Sequence, residues 1–260
     1  MSEEPEVRSR REVTLLSNGS YHVMITSAWG GYSTWRDLDV TRWREDTTRD
    51  CWGQLCYVRD LGEESAWTIG RQPLSESDES AFEFHPDRAE FREQHGDLEV
   101  QGAVCVVPDA DAEVRVLTLI NHGDHEREIE LTSYAEVCLN DRRADQSHPA
   151  FAKLFLETEF DPHCGALLAR RRPRGVKENP VWAVHTSTAS GPTSEIEYET
   201  DRMRFLGRGR TPANPVAFDS GSHLSRTTGP VLDPIFSLRR RVSLEARMTT
   251  RVAFVTGAAD

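Results

Sequence analysis

Residues 13–26 read VTLLSNGSYHVMIT, and this stretch decides the fold class. Two apolar runs flank Asn18-Gly19, a dipeptide that strongly favours a tight β-hairpin because both residues tolerate positive φ. In residues 21–26 the odd positions, Tyr21, Val23 and Ile25, share one face of an extended chain. The stretch therefore predicts two antiparallel strands with one face directed toward a core.

The same period-2 alternation recurs along the chain. It is clear in DLEVQGAVCVVP (97–108), AEVRVLTLI (112–120), EIELTSYAEVCL (128–139) and FSLRRRVSLEARMTTRVAFVTG (236–257). Short turn signals such as Pro108-Asp109 and Gly191-Pro192 separate the runs, and no ten-residue stretch shows a convincing helical period. Many short strands joined by such turns predict an all-β protein, a large antiparallel β-sandwich with few or no long helices.

The chain offers no clear point of division into domains. Its 260 residues suffice for one large all-β domain or two smaller ones, and neither an internal repeat nor a clean linker separates two halves. We expect a flexible N-terminus over residues 1–12 and a single β-sandwich domain over residues 13–256. Residues 207–234 are rich in Gly, Pro, Ser and Asn, which predicts a long loop.

Composition excludes several classes of function. A formal charge of −12 argues against nucleic acid, because a phosphate backbone is held by a basic surface. No apolar run approaches the length of a membrane helix, and the N-terminus lacks the apolar core of a secretory signal, so a cytoplasmic location is expected. The five cysteines are scattered, which favours reduced thiols, and the sequence calls for no cofactor or metal.

One early segment departs from plain strand patterning. GGYSTWRDLDVTRWRED (30–46) holds two tryptophans, three arginines and four carboxylates. A carbohydrate site needs flat aromatic rings for the C–H faces of a sugar, together with charged groups for its hydroxyls. Those residue types are supplied by Trp35, Arg36, Asp37, Trp43, Arg44, Glu45 and Asp46. The alternative is structural: tryptophans close the core, and arginine–carboxylate pairs tie loops to the sheet. The remaining carboxylates, including Glu128, Glu130 and Glu136, are expected to line solvated strand faces.

The segment LLSNGSYHVMITSAWGGYSTWRDLDVTRWREDTTRDCWGQLCYVRD (15–60) closely resembles the glycosyltransferase-36 type N-terminal β-sandwich. That domain precedes the helical catalytic barrel in cellobiose-phosphorylase-like proteins, and the version found in cyclic β-1,2-glucan synthases is the most similar. The resemblance continues through HPAFAKLFLETEF (148–160), EIEYETDRMRFLGRG (195–209) and GPVLDPIFSLRRRVSLE (229–245). It implies a β-supersandwich related in shape to galactose mutarotase.

The resemblance also implies where catalysis resides. In that family the catalytic carboxylates belong to the (α/α)6 barrel, so no catalytic residue carries over to this sequence. TRVAFVTGAAD (250–260) stands about where the connection to a barrel begins, and we expect 257–260 to start that linker. The expected role is a non-catalytic module that supports the barrel, in cis or in trans, and holds β-glucan weakly. A homodimer is also compatible with the family, as is a place within an inner-membrane protein without membrane insertion by this chain.

The family signature adds candidate contact residues for glucan or barrel. These are Tyr32, Trp52, Arg59, Asp60 and His148. His148-Pro149 has two interpretations. It is either a contacting loop or a local turn whose Phe151 anchors in the core, since a residue before proline favours extended or turn conformations.

Two further functions remain open at this level. A mutarotase-like aldose epimerase would need a general base and a general acid, for which Glu136 or Glu159 with His148 or His185 are candidates by residue type. A docking scaffold for a separate barrel chain would never touch sugar. Its aromatic and arginine side chains would then form only a protein interface.

Overall fold

The computed structural model describes residues 12–45, 52–63, 65–70, 73–74, 79–173, 175 and 179–260. The predicted flexible N-terminus lies outside this range except for Glu12. The strands are β1 Val13–Ser17, β2 Tyr21–Thr26, β3 Gly31–Trp35, β4 Leu38–Thr41, β5 Leu55–Asp60, β6 Ser65–Thr68, β7 Glu79–Phe84, β8 Arg88–His95, β9 Leu98–Val106, β10 Ala112–Asn121, β11 Arg127–Asn140, β12 Leu156–Asp161, β13 Ala166–Arg171, β14 Val181–Ala189, β15 Glu197–Asp201, β16 Pro234–Leu244 and β17 Thr249–Ala259. The short helices are α1 Arg142–Ser147, α2 Pro149–Lys153 and α3 Arg202–Leu206, with a 3-10 turn at Val216–Phe218.

Within the described residues the strands form two antiparallel sheets. The nine-stranded sheet runs β1-β2-β3-β4-β11-β16-β15, with β5 paired to β11 and β6 paired to β5. The eight-stranded sheet runs β12-β13-β14-β17-β10-β9-β8-β7. This confirms the predicted antiparallel β-sandwich with few and short helices.

The β1–β2 hairpin forms as its sequence predicts. Asn18 accepts backbone N–H bonds from Ser20 at 3.0 Å and Tyr21 at 2.8 Å, while Gly19 takes φ 100°. Tyr21, Val23 and Ile25 are all fully buried in the core between the sheets. The alternation therefore identified the core face correctly.

The outer face of the nine-stranded sheet is covered as well, which the pattern did not predict. Phe205, Ala217 and Leu224 pack with Tyr57 and Tyr134 to form a second, smaller core on that face. Residues 207–233 contain no strand, as expected for a long loop. Because this loop folds back over β11, both faces of that strand are buried.

The burial of β11 corrects the expectation for its carboxylates. Glu130 is fully buried and Glu136 is 5% exposed, whereas only Glu128 faces solvent. Glu130 pairs with Arg239 at 3.3 Å and Arg241 at 2.9 Å. Buried carboxylates are retained because guanidinium groups compensate them.

Two further features bear on the domain boundaries and the thiols. β17 continues to Ala259, which pairs with Trp182, so residues 257–259 belong to the sheet rather than to a linker. The four described cysteines, Cys56, Cys105, Cys138 and Cys164, are all free. None of the helices in the described ranges has the length and apolar character needed to span a membrane.

Candidate functional site

The aromatic and ionic segment predicted as one surface divides between distant places. Asp60 lies opposite Ile129, near the start of β11, whereas Thr41 lies opposite Val137. Those two β11 residues are eight positions apart, so the separation along the strand is roughly 25 Å at about 3.3 Å per residue. The candidates from Trp29 to Asp60 therefore do not form a single site.

The two early tryptophans of this segment belong to the core, which corrects the contact role given to Trp35. Trp29 is 1% exposed and packs on Phe91, with ring centroids 5.3 Å apart. Trp35 is 2% exposed, and its Nε1 donates to Asp111 Oδ2 at 2.6 Å. Neither ring is available to a ligand.

Arg36 and Asp37 are exposed at the β3–β4 turn. The Arg36 guanidinium lies 4.1 Å from the Trp35 ring centroid and pairs with Asp260 at 2.8 Å. This arrangement covers one face of a core tryptophan and joins two chain segments. It matches the structural interpretation of arginine–carboxylate pairs.

Arg59 and Asp60 lie at the end of β5, next to the β5–β6 turn. Asp60 is 1% exposed, accepts from Arg127 Nη1 at 2.6 Å, and accepts the Gly62 N–H at 2.9 Å. Arg59 is half-buried on the neighbouring position. Asp60 therefore stabilises the β5–β6 turn through buried hydrogen bonds. This corrects the prediction that Asp60 contacts glucan or a barrel.

The remaining aromatic candidates do converge. Tyr32 and Trp43 lie with ring centroids 6.1 Å apart, and the Arg142 guanidinium stands 4.1 Å from the Tyr32 ring. The Arg44 guanidinium stands 5.4 Å from the Trp52 ring. We call Tyr32, Trp43, Arg44, Trp52 and Arg142 the aromatic patch. Glu45 beside it is exposed, and Asp46 lies outside the described residues.

Four of the five residues of the aromatic patch are half-buried, and two of its donor atoms have no hydrogen-bond partner among the described residues. Tyr32, Trp43, Arg44 and Trp52 all have intermediate exposure. Trp43 Nε1 and Arg44 Nε are buried atoms without a hydrogen-bond partner among the described residues. Buried donors nearly always find a partner, and residues 46–51, which lie between Glu45 and Trp52 in sequence, are outside the described residues.

A buried ion network holds the patch in place. Arg42, next to Trp43, donates to Asp145 from Nε at 2.8 Å and Nη2 at 2.7 Å, and to Glu136 from Nη1 at 2.9 Å. Burial is the largest single influence on the pKa of Asp145 and would raise it, but the hydrogen bond and charge of Arg42, with smaller contributions from Cys138 and Arg44, together outweigh burial and lower the pKa. For Glu136, burial is likewise outweighed by Arg202 and Arg42, and its pKa is also lowered.

Sequence reasoning missed Arg42 and Arg142 as members of this arrangement. Arg42 lies inside the quoted segment, but its two carboxylate partners come from β11 and α1, about a hundred residues away. Arg142 opens α1 and reaches back to Asp39 at 2.8 Å. The high arginine content of residues 30–46 was the only sign of an ion network in the sequence. It could not identify the carboxylates with which Arg42 and Arg142 pair.

His148 lies at the junction of α1 and α2 and is exposed. Phe151 is 54% exposed, so it does not anchor this segment in the core, and that interpretation of His148-Pro149 is wrong. Leu154, Met203 and Leu232 are exposed apolar residues of the same region. We call these three residues and Phe151 the α2–α3 patch.

Asp233 joins the parts of the α2–α3 patch. It pairs with Lys153 at 2.5 Å and with Arg202 at 3.7 Å, and its carbonyl accepts the Arg202 N–H at 3.0 Å. Each of these residues neighbours a patch member in sequence. Arg202 also donates to Glu136 at 2.8 Å, which links this surface to the network beneath the aromatic patch.

The groups proposed for epimerase chemistry are not assembled as a pair. His185 bonds Ser133 at 2.8 Å on the inner face of β11, whereas Glu136 lies on the outer face with Tyr134. Residues 133 and 136 point to opposite sides of a regular strand. Glu159 and His148 are exposed residues of different elements.

His185 is also in the wrong state to donate a proton. It is 3% exposed and its Nδ1 bonds Thr256 at 2.9 Å. Burial, with Arg115 as a secondary cause, lowers the pKa of His185 to about 3. The ring is therefore neutral near pH 7 and acts as a structural bridge between the sheets.

Comparison with known proteins is consistent with this architecture. The chain matches the family model described as the glycosyl hydrolase 94 supersandwich domain over residues 2–260. It is 40% identical over 258 residues, 98% of this chain, to the cyclic β-(1,2)-glucan synthase NdvB of Rhizobium meliloti (strain 1021), and covers 9% of that protein. It is 24% identical over 248 residues to the N,N'-diacetylchitobiose phosphorylase of Vibrio proteolyticus, 93% of this chain and 30% of that relative.

One solved structure illustrates the shared fold. A protein from Escherichia coli K12 assigned as an aldose 1-epimerase aligns with a TM-score of 0.52 at 11% identity, over 96% of this chain and 99% of that one. At this identity the similarity concerns the fold alone. The chain spans less than a third of the length of either curated relative described above.

Proposed function

The chain belongs to the glycosyl hydrolase 94 supersandwich family, and we propose that it is a non-catalytic, carbohydrate-associated module of a cyclic β-1,2-glucan synthase or phosphorylase-like protein. In this role it supports a helical catalytic domain and holds β-glucan weakly at the aromatic patch. The proposal draws on the named relatives, each several times longer than this chain. Such a protein would act on the cytoplasmic side of the membrane.

The observation that carries the proposal is a pair of donors on the aromatic patch that have no hydrogen-bond partner among the described residues. Trp43 Nε1 and Arg44 Nε are buried without a partner among the described residues. Beside them stand half-buried rings that could stack on the C–H face of a sugar. A glucan ring supplies both the hydroxyl acceptors and the apolar face that this combination would satisfy.

The support role draws on the α2–α3 patch. Phe151, Leu154, Met203 and Leu232 are more than half exposed, and they surround the Lys153–Asp233–Arg202 ion pairs. An exposed apolar group with a polar rim is typical of a docking surface. The occupant we propose is the helical barrel that the family resemblance implies.

The absence of catalysis by this module is directly testable. The purified chain is incubated with β-1,2-glucan and inorganic phosphate, and release of sugar or sugar phosphate is followed. No release above the protein-free blank is expected. Sustained turnover by the pure chain would contradict the non-catalytic role.

A parallel assay addresses the epimerase alternative. Optical rotation of freshly dissolved glucose or galactose is followed with and without the chain. Equal rates are expected, because His185 is buried and neutral and Glu136 is held by two arginines. An accelerated rate would restore the epimerase hypothesis.

A further inference from the structure

The β7–β8 hairpin, at one edge of the eight-stranded sheet, brings three metal-ligating side chains together. Glu83 and Glu90 are directly opposite each other in the register. His85 begins the turn, where its backbone N–H donates to Arg88 O at 2.8 Å. One ligand atom of each residue lies within 4.8 Å of the other two.

The distances fit a metal better than they fit hydrogen bonds. His85 Nε2 is 3.5 Å from Glu83 Oε2 and 3.4 Å from Glu90 Oε2. A direct N–H···O bond is usually about 2.7–3.2 Å long. In a tetrahedral site with bonds of about 2.0–2.1 Å, neighbouring ligand atoms are roughly 3.3–3.4 Å apart.

The imidazole nitrogen is unsatisfied in this arrangement. His85 Nε2 is a buried atom without a hydrogen-bond partner among the described residues, although it faces two carboxylate oxygens. A buried polar atom without a partner requires an explanation such as an ion or a water molecule. A cation between the three atoms would provide one.

The local charges also favour a cation. Two glutamates directly opposite on paired strands repel each other. Arg88 binds the far oxygen of Glu90, Nε to Oε1 at 2.5 Å, and leaves Oε2 facing His85.

The cluster is open on one side. Glu83 and Glu90 also line a cleft of about 470 Å³ together with Arg92 and Gln101 on the outer face of the sheet. A three-ligand protein site with an open fourth position is a common arrangement for zinc, in which water completes the tetrahedron. We propose that Glu83, His85 and Glu90 bind a divalent transition-metal cation of the Zn²⁺ class, which fastens the β7–β8 hairpin.

The test is calorimetric titration of the tag-free chain with ZnCl₂. All samples carry Cys164→Ser, because Cys164 is the exposed free thiol among the described cysteines and would itself bind zinc. We expect one ion per chain with micromolar affinity, weakened at least tenfold by His85→Gln and by Glu83→Gln. His125→Gln, which removes an exposed histidine in the β10–β11 turn, should change the affinity less than twofold.

A second measurement guards against a folding artefact. The thermal unfolding midpoint without metal should be the same for the parent and for His85→Gln, and only the parent should gain stability on adding Zn²⁺. A parent chain that shows no saturable binding, or a His85→Gln variant that binds equally well, would overturn the proposal. The result is independent of the glucan and docking roles.

Discussion

The Arg42 guanidinium and the Asp145 carboxylate form a two-pronged hydrogen-bonded pair, with both side chains about 95% buried. The pair joins the segment after β4 to helix α1, and a third bond from Arg42 reaches Glu136 on β11. Because Trp43 follows Arg42 directly, this buried anchor sets the position of the aromatic patch. The position of the patch therefore depends on a buried ion network beneath it.

Replacing Arg42 by methionine should destabilise the fold strongly. Arg42→Met leaves the carboxylates of Asp145 and Glu136 buried without their shared partner, and such a loss typically costs about 3–5 kcal/mol. Urea denaturation followed by tryptophan fluorescence measures the free energy of unfolding. Arg247→Met is the matched control, because Arg247 pairs with Asp124 at 2.6 Å on the exposed surface. A pair of that kind contributes about 1 kcal/mol or less.

The acid stability of the chain should depend on the same network. The pKa values of Asp145 and Glu136 are lowered in the fold from their ordinary 3.8 and 4.5, because bonds and charges of the arginines outweigh burial. A carboxyl group whose pKa is lower in the folded than in the unfolded state stabilises the fold at pH values above its unfolded-state pKa. This stabilisation is lost as the pH falls through its folded-state pKa. We therefore expect the difference between Arg42→Met and the parent to shrink from pH 6 to pH 3. A difference in unfolding free energy that stays constant over this range would contradict the account.

The ring of His185 should remain neutral far into the acid range. Its pKa is lowered to about 3 by burial, compared with an ordinary value of 6.5. The unfolded chain binds this proton below about pH 6.5, so the contribution of His185 to stability is lost as pH falls from there toward 3. Nitrogen-15 NMR of the imidazole should show the neutral form at pH 5. A midpoint near 6.5 would show that the ring is not held in the core as described.

The α2–α3 patch should matter for docking but not for folding. Met203→Ser and Leu232→Ser remove side chains that are 61% and 78% exposed, so the free energy of unfolding should change by no more than about 0.5 kcal/mol. Their combination should weaken binding of a separately produced helical domain from a family member at least tenfold. Leu15→Ser, which alters an equally exposed residue of β1, should leave binding unchanged. If Leu15→Ser weakened binding as much as the double variant does, the result would argue against a specific docking surface.

Local alternation predicted the sandwich because most strands bury one face. β9 shows this plainly: Leu98, Val100 and Val104 are fully buried, as their period-2 spacing indicated. The alternation could not predict that a loop covers the second face of β11, because the residues of that loop are distant from β11 in sequence. The glutamates of that strand therefore looked solvated in the sequence and are largely buried in the fold.

The roles of the tryptophans could not be read from residue types. The Trp29 ring lies over Gly102, where a Cβ would come within 3.0 Å of it. That space exists because β9 places a glycine there, and nothing near Trp29 in sequence indicates it. Trp43 and Trp52 resemble Trp29 and Trp35 in local composition. Trp43 and Trp52 nevertheless reach the surface, whereas Trp29 and Trp35 are buried. The sequence thus marked the segment, but it could not separate the tryptophans that are buried in the core from those that reach the surface.

The most direct test of the central claim is calorimetric titration of the chain with β-1,2-linked gluco-oligosaccharides, with cello-oligosaccharides as the control ligand. The parent and Trp43→Ala are titrated in parallel after their folding is shown to match. The account predicts weak, linkage-selective binding by the parent. Trp43→Ala should reduce this binding at least tenfold, because the aromatic stacking surface and the Nε1 donor are lost together. Absence of heat with the parent, or binding that Trp43→Ala leaves unchanged, would contradict a glucan site at the aromatic patch.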